Sequence, residues 1–390
     1  MKIVDVSAFY APHGGGVRTY VECKIAYAER MGIDLVVIIP GEEDGEDRRP
    51  GGARVISVAS PKLIFDGRYR YFKSAGPIHD ILNAEQPDIV EASSPWRTAS
   101  IVADWKGPAR KSLFMHADPM AVYAYRWFGQ MAPRDTIDRT FAPYLNHLRR
   151  AAAKFDTVVC CNPDLEARLR HAGIPNVTMI PLGIEPNRFS PSLRSADLRA
   201  TMLAKCHLPE NARLLMAICR LSAEKRLPMV IDAVSVASAQ QPVGLIVIGV
   251  GRDRPMVLKA IGGNPHIRLI DGIRDRELLA RMLASADGFI HGCESETFGI
   301  VVAEAAASGV PLILPDEGGA VTFADPTCSV SYRAGNPAAL VHALDQFLDR
   351  DPTELLAAGA RRSDQVFCIN DHFDNLIDTY QQCRTTMRAA

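Results

Sequence analysis

The sequence contains no apolar run of about 18 residues, the length that a helix needs to cross a bilayer, which argues against a transmembrane segment. It also has almost no net charge, −1 from 44 basic and 45 acidic residues, so no overall field draws it to nucleic acid. Its first residues, MKIVDVSAFYAP, lack the small-residue cleavage pattern of a signal peptide. We therefore expect a cytoplasmic protein, either free or at the inner face of the cell membrane.

Cysteine occurs nine times, but in no pattern that builds a disulfide framework or a metal cluster. The number is odd, no C-x-x-C occurs, and Cys160 and Cys161 are adjacent. The acidic cluster GEEDGED at 41–47 is typical of a solvated polar loop rather than of a metal site. The sequence thus predicts reduced thiols, no metal site and no bound cofactor.

Short apolar segments alternate with longer segments of helical length. The short segments are rich in Val and Ile and bounded by polar or Pro residues, which is typical of buried parallel strands. In the first half they are KIVDVSAFY, DLVVIIP, DIVEASS, SLFMHAD and TVVCCN; further on they are RLLMAICRL, VGLIVIGVG, HIRLIDG, GFIHGC and PLILPD. Such alternation predicts the α/β class with doubly wound parallel sheets.

A proline-rich segment, IPLGIEPNRFSPSLR at 180–194, separates two such series and is typical of an interdomain linker. We predict two Rossmann-like domains, at 1–183 and 190–365, with a cleft between them. The apolar spacing of the last segment predicts an amphipathic helix over 370–390. Ligands of such sheets bind beyond the carboxyl ends of the strands, so chemistry is expected directly after each apolar segment.

Glycines follow the first strand in APHGGGVRTY, at 11–20. They suit a close approach of the backbone to an anion, although a glycine turn before a helix is also plain geometry. Gly14 and Gly16 begin a dinucleotide fingerprint, but Thr19 stands where the third glycine belongs. The later GVGRDRP at 249–255 fails in the same way, which disfavours an NAD-dependent oxidoreductase.

Charged side chains follow two other strands. In RLSAEKR, Arg220 and Lys225 can converge on one anion if a turn lies between them, as a planar fork and a point charge respectively. Arg226 is interpreted as a solvated charge. His116 follows SLFM and is either a substrate contact or a hydrogen-bonded turn histidine.

The segment ESETFGIVVAE at 294–304 combines a strand-exit loop with the start of an Ala-rich helix. Glu304 lies in an apolar context, where a carboxylate without a function would be costly. Glu296 precedes the helix and projects from its loop. Glu294 is interpreted as an ordinary loop carboxylate.

Taken in order, these segments resemble the retaining family-4 glycosyltransferases. ESETFGIVVAE matches the E-x7-E motif of that family, and RLSAEKR resembles its phosphate-binding segment. FYAPHGGGVRTY is similar to its glycine loop, IPLGIEPNRF to its linker and FMHAD to its histidine-bearing strand end. The resemblance implies the GT-B fold, with two Rossmann-like domains facing across a cleft and the final helix crossing back to the first domain.

The resemblance also implies roles for individual residues. Catalytic roles fall to His116, Glu296, Arg220 and Lys225. Contacts with the donor fall to Gly15, Gly16, Arg220, Lys225, Ile273, Glu296, Phe298, Gly299, Ile300 and Glu304. Glu304 would bind the ribose hydroxyls, Glu296 would hold the donor sugar, and the two cations would neutralise the diphosphate.

Two departures from the family pattern leave the donor preference open. Gly292 and Cys293 stand where Pro-Ser is frequent before the first Glu, and Thr297 stands where Gly is frequent. The expected reaction is retaining transfer of a hexose from a nucleotide-diphosphate sugar, with UDP slightly favoured over GDP. The expected acceptor is a lipid or a lipid-linked glycan. Because fixed cations can stabilise the leaving group, we predict metal-independent catalysis.

The acceptor half of the sequence is less informative. KLIFDGRYRYFKS at 62–74 and VYAYRWFGQM at 122–131 mix basic and aromatic residues, which suits either peripheral contact with an anionic membrane or a partly buried cleft rim. The alternatives to the main interpretation are a soluble or polysaccharide acceptor, a GT-B sugar-nucleotide epimerase, and a nucleotide-sugar sensor without catalysis.

Overall fold

A computed structural model describes residues 1–10, 16–63, 66–129 and 131–388, with the backbone alone at 66–68 and 384–388. The chain divides into two compact units. Unit 1 comprises Met1–Pro181 and Ile369–Ala390, and unit 2 comprises Leu182–Cys368. The proline-rich segment at 182–194 thus belongs to unit 2.

Unit 1 is built on ten strands of the described chain and on helices that connect them. The strands are β1 (Lys2–Val6), β2 (Asp34–Gly41), β3 (Gly45–Arg48), β4 (Arg54–Ala59), β5 (Lys62–Leu63), β6 (Asp66–Arg70), β7 (Ile89–Ala92), β8 (Arg110–Phe114), β9 (Thr157–Cys160) and β10 (Val177–Met179). The helices are α1 (Gly16–Met31), α2 (Gly76–Glu85), α3 (Arg97–Asp104), α4 (Arg126–Phe128), α5 (Arg134–Thr140), α6 (Ala142–Ala152) and α7 (Pro163–His171), with a π-helical turn at Met120–Tyr125.

The main sheet of unit 1 has the order β10-β9-β8-β7-β1-β2-β4-β3 and is parallel except for the last pair. The five strands predicted for this half are confirmed as β1, β2, β7, β8 and β9. Strand β3 corrects the expectation of a loop at 41–47, because Gly45–Arg48 forms an exposed edge strand antiparallel to β4. Its short length and its charges are the usual protection of a sheet edge.

Unit 2 contains a second sheet and its helices. The strands are β11 (Arg213–Ile218), β12 (Val243–Ile248), β13 (Ile267–Ile270), β14 (Gly288–Ile290), β15 (Leu312–Pro315) and β16 (Ser329–Tyr332). The helices are α8 (Ala196–Lys205), α9 (Leu227–Ser238), α10 (Arg254–Ile261), α11 (Arg276–Ala284), α12 (Ile300–Ala307), α13 (Pro337–Leu348) and α14 (Pro352–Arg362). Short 3-10 turns lie at Pro191–Leu193, Ala223–Lys225, Gly319–Phe323 and Ser363–Gln365.

The sheet of unit 2 has the order β13-β12-β11-β14-β15-β16, and all its pairs are parallel. Every residue of β12 is buried, as expected for a parallel strand with helices on both faces. The order reverses between β11 and β14, so the loops after these two strands diverge at one edge. Such a switch point is where ligands of open α/β sheets bind.

The last helix, α15 (Ile369–Arg388), returns to unit 1. Phe373, Leu376 and Tyr380 are buried there, so the amphipathic helix predicted for the end of the chain is confirmed. Phe72 is also buried in the core of unit 1, so this ring of the segment at 62–74 belongs neither to a membrane-facing surface nor to a partly buried rim. Within the described part of the chain, no helix has the length and apolar character needed to span a membrane.

Candidate active site

The loop after β11 carries Arg220 and is packed against the loop after β12. A Cβ atom added at Gly249 would lie 1.9 Å from the carbonyl oxygen of Cys219, and one added at Gly251 would lie 2.1 Å from that of Leu221. The two glycines therefore allow the backbone of the loop after β12 to lie in direct contact with that of the loop after β11. The incomplete fingerprint at 249–255 is explained by this packing, which positions the Arg220 loop.

Lys225 is the last residue of the 3-10 turn Ala223–Lys225, and Arg220 lies three residues before that turn. The Arg220 side chain is 45% exposed and lies 3.4 Å from Glu224. The Lys225 side chain points inward and is only 14% exposed. The turn that convergence of the two cations requires is therefore present.

Lys225 forms a partly buried ion pair with Glu296, from the loop after β14. Burial by itself lowers the pKa of Lys225, but the Cys293 sulfur and the Glu296 carboxylate raise it above its usual value. Burial likewise raises the pKa of Glu296, but Lys225, His291 and Arg220 lower it below its usual value. Both groups are thus held in their charged forms, and the charge of Arg220 reaches the same carboxylate.

Two further side chains complete this cluster. Cys293 Sγ lies 3.7 Å from Lys225 Nζ, and His291 Nε2 lies 3.6 Å from Glu296 Oε1. Burial lowers the pKa of His291 to about 4 and raises that of Cys293 to about 11, so the imidazole and the thiol are neutral at pH 7. His291 therefore makes no ion pair with Glu296.

Arg226 was expected to be a solvated charge, and this is wrong. Its guanidinium makes a bidentate contact with Glu294, with Nε 2.9 and 2.8 Å from the two carboxylate oxygens. The side chains are 22% and 11% exposed. Bidentate pairing fixes orientation as well as charge, so Glu294 anchors the loop after β14 to the loop after β11.

The segment between Glu296 and α12 is fixed by glycines of a neighbouring loop. Gly319 N–H donates to the Glu296 carbonyl at 2.7 Å, and a Cβ at Gly319 would lie 2.6 Å from Phe298 N. The Phe298 ring is buried against Phe323, with centroids 5.2 Å apart. Gly299 has a φ of +85° and caps α12, whose first residue is Ile300. A left-handed residue at this point favours glycine.

Glu304 is paired with a different cation from that of Glu296, namely Arg276. Glu304 is 4% exposed, and Arg276 donates to its Oε1 at 2.5 Å. Burial raises the pKa of Glu304, and Arg276 opposes this rise. Arg276 is the first residue of α11, three positions after the half-buried Ile273, whose loop connects β13 to that helix.

The remaining predicted site residues belong to unit 1. His116 lies two residues beyond β8, half-buried, and its ring stacks on Phe114 and contacts Tyr20 edge to face, at 4.3 and 4.7 Å. Burial lowers its pKa to about 3, so it is neutral. Gly16 begins α1, whereas Gly15 lies outside the described residues.

A buried charged network lies in the core of unit 1 and was not predicted. Lys24 Nζ lies 3.0 Å from Asp5 and 2.8 Å from Glu91, and all three side chains are almost completely buried. Ser93 donates to Asp5 at 2.7 Å, and Tyr380 of α15 donates to Glu91. Buried charges need such partners, so the network ties the final helix to β1 and β7.

Unit 1 also has a pocket, partly open to solvent, of about 610 Å³ between the π-helical turn and α5–α7. Its wall combines Asp118 and Asp138 with Arg139 and Arg168. Asp118 is already paired with Arg168. None of the predicted site residues lines this pocket.

The structure therefore brings Arg220, Lys225 and Glu296 together, gives Glu304 a separate partner, and places His116 and Gly16 in the other unit. Sequence analysis missed Arg276, His291 and the packing of Gly319. The only sequence signals for these residues are polar or glycine residues directly after strands or at helix starts, a pattern shared with many structural residues.

Comparison with known proteins shows the family and the fold of the chain. The model of Glycosyl transferases group 1 matches residues 199–362, and that of Glycosyltransferase Family 4 matches residues 14–188. The chain is 28% identical over 369 residues to a GDP-mannose-dependent alpha-(1-6)-phosphatidylinositol dimannoside mannosyltransferase of Mycobacterium tuberculosis, covering 94% of this chain and 92% of the relative. A GDP-mannose-dependent alpha-mannosyltransferase of the same species is 29% identical over 327 residues, covering 82% of this chain and 80% of the relative.

Among solved structures, sucrose-phosphate synthase from Thermosynechococcus elongatus superposes with a TM-score of 0.79 at 18% identity, covering 99% of this chain and all of that one. Two Rossmann-like units of this kind are those of the GT-B fold. The chain belongs to the family-4 glycosyltransferases and is a hexosyltransferase. The fold class and the family expected from the sequence are confirmed.

Proposed function

We propose that the protein transfers mannose from GDP-mannose to an inositol-containing glycolipid of the cell envelope, with retention of anomeric configuration. The sequence slightly favoured UDP as the donor nucleotide. We propose GDP instead, because the curated relatives that span most of the chain are named for GDP-mannose. One of them is named for a phosphatidylinositol dimannoside acceptor, and others are D-inositol 3-phosphate glycosyltransferases. These names support an acceptor of the inositol-lipid class.

The observation that carries the proposal is the arrangement of cations and carboxylates around the β14–α12 loop. Glu296 is paired with Lys225 and Glu304 with Arg276, so each carboxylate has a cationic partner at a separate place. Glu304 is suited to accept hydrogen bonds from the two ribose hydroxyls, and Glu296 from hydroxyls of the sugar. Lys225, Arg220 and the N-terminus of α12 are suited to the diphosphate between them.

The proposed chemistry follows from the leaving group. The bond between mannose C1 and the β-phosphate oxygen breaks, and the acceptor hydroxyl oxygen forms a bond to C1 on the same face. The acceptor proton passes to the departing phosphate oxygen. Lys225 and Arg220 stabilise the negative charge that develops on the diphosphate, which fixed cations do without reorganisation. These two cations also support metal-independent catalysis, which stays a proposal.

For His116 and Gly16, contact with the donor is carried by the family resemblance alone and stays a prediction. The His116 ring is neutral and orientated by Phe114 and Tyr20, so it is suited to hydrogen bonding rather than to carrying charge.

Peripheral contact with a membrane is a further part of the proposal. Tyr123, Trp127, Phe128 and Met131 are exposed large apolar side chains within nine positions of one another in unit 1. Aromatic and basic side chains together favour the interface of an anionic bilayer. We expect the protein to sediment with anionic vesicles at low salt and the Trp127→Ser/Phe128→Ser double variant to do so less. Equal sedimentation of the two would count against this contact.

The donor is tested by incubating the purified protein with GDP-mannose, GDP-glucose, UDP-glucose and UDP-galactose in the presence of phosphatidylinositol mannosides. We expect GDP-mannose to give a mannosylated lipid, at the same rate with and without a metal chelator. Isomerisation of the donor without transfer would favour the epimerase instead. Loss of turnover in chelator, restored by a divalent ion, would contradict metal independence.

The site is tested by Glu304→Gln, which keeps the shape of the side chain but removes its charge. We expect donor affinity to fall by about tenfold or more, since hydrogen bonds to charged groups contribute roughly 1.5–3 kcal/mol. Glu277→Gln, at an exposed position of α11, is the matched control and leaves donor affinity unchanged. An unchanged affinity in Glu304→Gln would remove the ribose assignment.

A further inference from the structure

We propose that His291, Cys293 and Glu296 of unit 2 bind a soft divalent transition-metal ion such as Zn²⁺, and that the bound ion inhibits sugar transfer by displacing Lys225. The inhibitory part depends on the proposed function, whereas the binding part does not. The potential ligand atoms of the three side chains all lie within 4.8 Å of one another. Imidazole nitrogen, thiolate sulfur and carboxylate oxygen are the ligand types that Zn²⁺ takes in proteins.

His291 supplies an observation that points independently to a ligand. Its Nε2 is buried and, among the residues that the structure describes, has no hydrogen-bond partner. The backbone around it is fixed, because its N–H donates to the Ile313 carbonyl at 2.9 Å and its carbonyl accepts from the Tyr332 hydroxyl at 2.8 Å. A buried polar atom without a partner is costly, and a neutral imidazole is the form that binds metals.

Lys225 shows that the cluster already accommodates a cation. Its ammonium group contacts Glu296 and lies 3.7 Å from Cys293 Sγ. The exchange is balanced in charge: ammonium, neutral thiol and carboxylate sum to zero, as do a divalent ion, a thiolate and a carboxylate. On binding, metal–sulfur, metal–nitrogen and metal–oxygen bonds form, the thiol proton passes to solvent, and Lys225 moves away from Glu296.

The consequence for transfer follows from the loss of two donor-site groups. Glu296 coordinated to a metal can no longer accept hydrogen bonds from the sugar with the same atom, and Lys225 loses the partner that positions it. We therefore expect inhibition that competes with the sugar nucleotide. Because Cys293 stands where Ser is frequent in the family, this sensitivity belongs to chains that carry a cysteine there.

Binding is tested with Co²⁺ as a spectroscopic probe on the full-length protein. We expect one equivalent to produce a thiolate-to-cobalt charge-transfer band, and Zn²⁺ to remove it by competition. Cys293→Ser should abolish the band, and His291→Gln should weaken Co²⁺ binding by at least about tenfold. Cys206→Ser, at a buried cysteine of the same unit, is the matched control and keeps the band. Absence of a band, or its persistence in Cys293→Ser, would overturn the site; the His291→Gln result tests it even if Cys293→Ser does not fold.

Inhibition is tested by measuring transfer against Zn²⁺, each variant relative to its own metal-free rate. We expect Cys293→Ser to need at least about tenfold more Zn²⁺ for half-inhibition. A Cys293-dependent cobalt band with no inhibition would overturn the inhibitory part. A Cys293-dependent band in a protein that transfers no sugar from any donor would contradict the proposed function and support the metal site.

Discussion

Lys225 is the residue on which the proposed donor site depends most directly, because it is the ion-pair partner of Glu296 and one of the two cations assigned to the diphosphate. We expect Lys225→Ala to lower kcat/KM by about 10²–10³-fold, the usual loss when one fixed group that stabilises developing charge is removed. The melting temperature should also fall, since Glu296 is left without its cation. Lys259→Ala, at an exposed position of α10, is the control for general loss of positive charge.

The double variant Lys225→Ala/Glu296→Gln separates these two effects. Because Glu296→Gln removes the carboxylate that Lys225→Ala leaves unpaired, the double variant should be more stable than Lys225→Ala. Its activity should not recover. Recovery of activity together with stability would mean that Lys225 acts only by holding the loop in place.

Arg276 has a different role, because it controls the ionisation of Glu304. Burial already raises the pKa of Glu304, and Arg276 limits this rise. In Arg276→Ala the pKa should rise further, and the ionised form that the ribose needs is lost as the pH falls through that higher value. We expect the acidic limb of donor KM against pH to move to higher pH. Arg274→Ala, at an exposed neighbouring position, should leave the profile in place.

The raised pKa of Glu304 also makes the stability of the protein depend on pH. A carboxyl group whose folded-state pKa is raised binds protons more readily in the folded state, so its contribution to stability declines as the pH rises from its unfolded pKa. Arg276→Ala should therefore lose more stability at pH 7 than at pH 4 to 5, as measured by urea unfolding. A loss independent of pH would mean that Arg276 acts through packing on Phe189, over whose ring it lies.

At the scale of elements, the loop between β14 and α12 is shaped by its neighbour rather than by its own sequence. A Cβ at Gly319 would meet Phe298 N and the carbonyl carbon of Thr297 at 2.6 Å, so Gly319→Ala must displace the backbone between Glu296 and Gly299. We expect about 10²-fold lower kcat/KM, a typical effect of misplacing a site by about 1 Å. Stability should fall by about 1–3 kcal/mol.

Gly76→Ala is the matched control for this substitution. Nothing lies within 4 Å of a Cβ at Gly76, which begins α2. Normal activity in Gly319→Ala would show that the loop tolerates a shift and that the close contact does not position Glu296.

The regular elements were accessible to sequence analysis because a parallel strand buried on both faces has a strong apolar signature. All ten predicted strands are present, from β1 to β15. Six strands were missed: β3, β4, β5, β6, β10 and β16. Five of these have only two to five residues, and β4 has six of which two are buried, so they lack the continuous apolar pattern of a strand buried on both faces. Arg220 and Lys225 were accessible from their position after a strand, whereas the roles of Glu296 and Glu304 came from the resemblance, because Glu304 has no signal of its own beyond an apolar context.

What could not be predicted are the partners of these residues. Arg276 pairs with a glutamate 28 positions away, and Arg226 with one 68 positions away. Such pairs depend on which loops and helices lie side by side once the sheet is assembled. Arg226 could not be distinguished in the sequence from an ordinary solvated arginine for the same reason.

At the scale of the whole molecule, the buried network of unit 1 makes its fold depend on the end of the chain. Lys24 faces two buried carboxylates, Asp5 and Glu91, and Tyr380 supplies a hydrogen bond to the second. Burial raises the pKa of Asp5 to about 6, opposed by Lys24, while Glu91 is kept ionised by Lys24 and Tyr380 although burial acts against it. The helix α15 is therefore part of the core of unit 1, not an appendage.

Removal of α15, in a chain that ends at Cys368, tests this dependence together with the location of the donor site. Unit 1 would lose the buried faces of Phe373, Leu376 and Tyr380, each worth about 1.5–3 kcal/mol of burial, a loss comparable with the whole stability of a domain. Calorimetry should show the transition of unit 1 lost and that of unit 2 retained. GDP should still raise the remaining transition, because Arg220, Lys225 and Glu304 all belong to unit 2, whereas sugar transfer should disappear. A chain ending at Arg388 is the control and should behave as the full chain, and loss of GDP binding in the shorter chain would contradict a donor site built within unit 2.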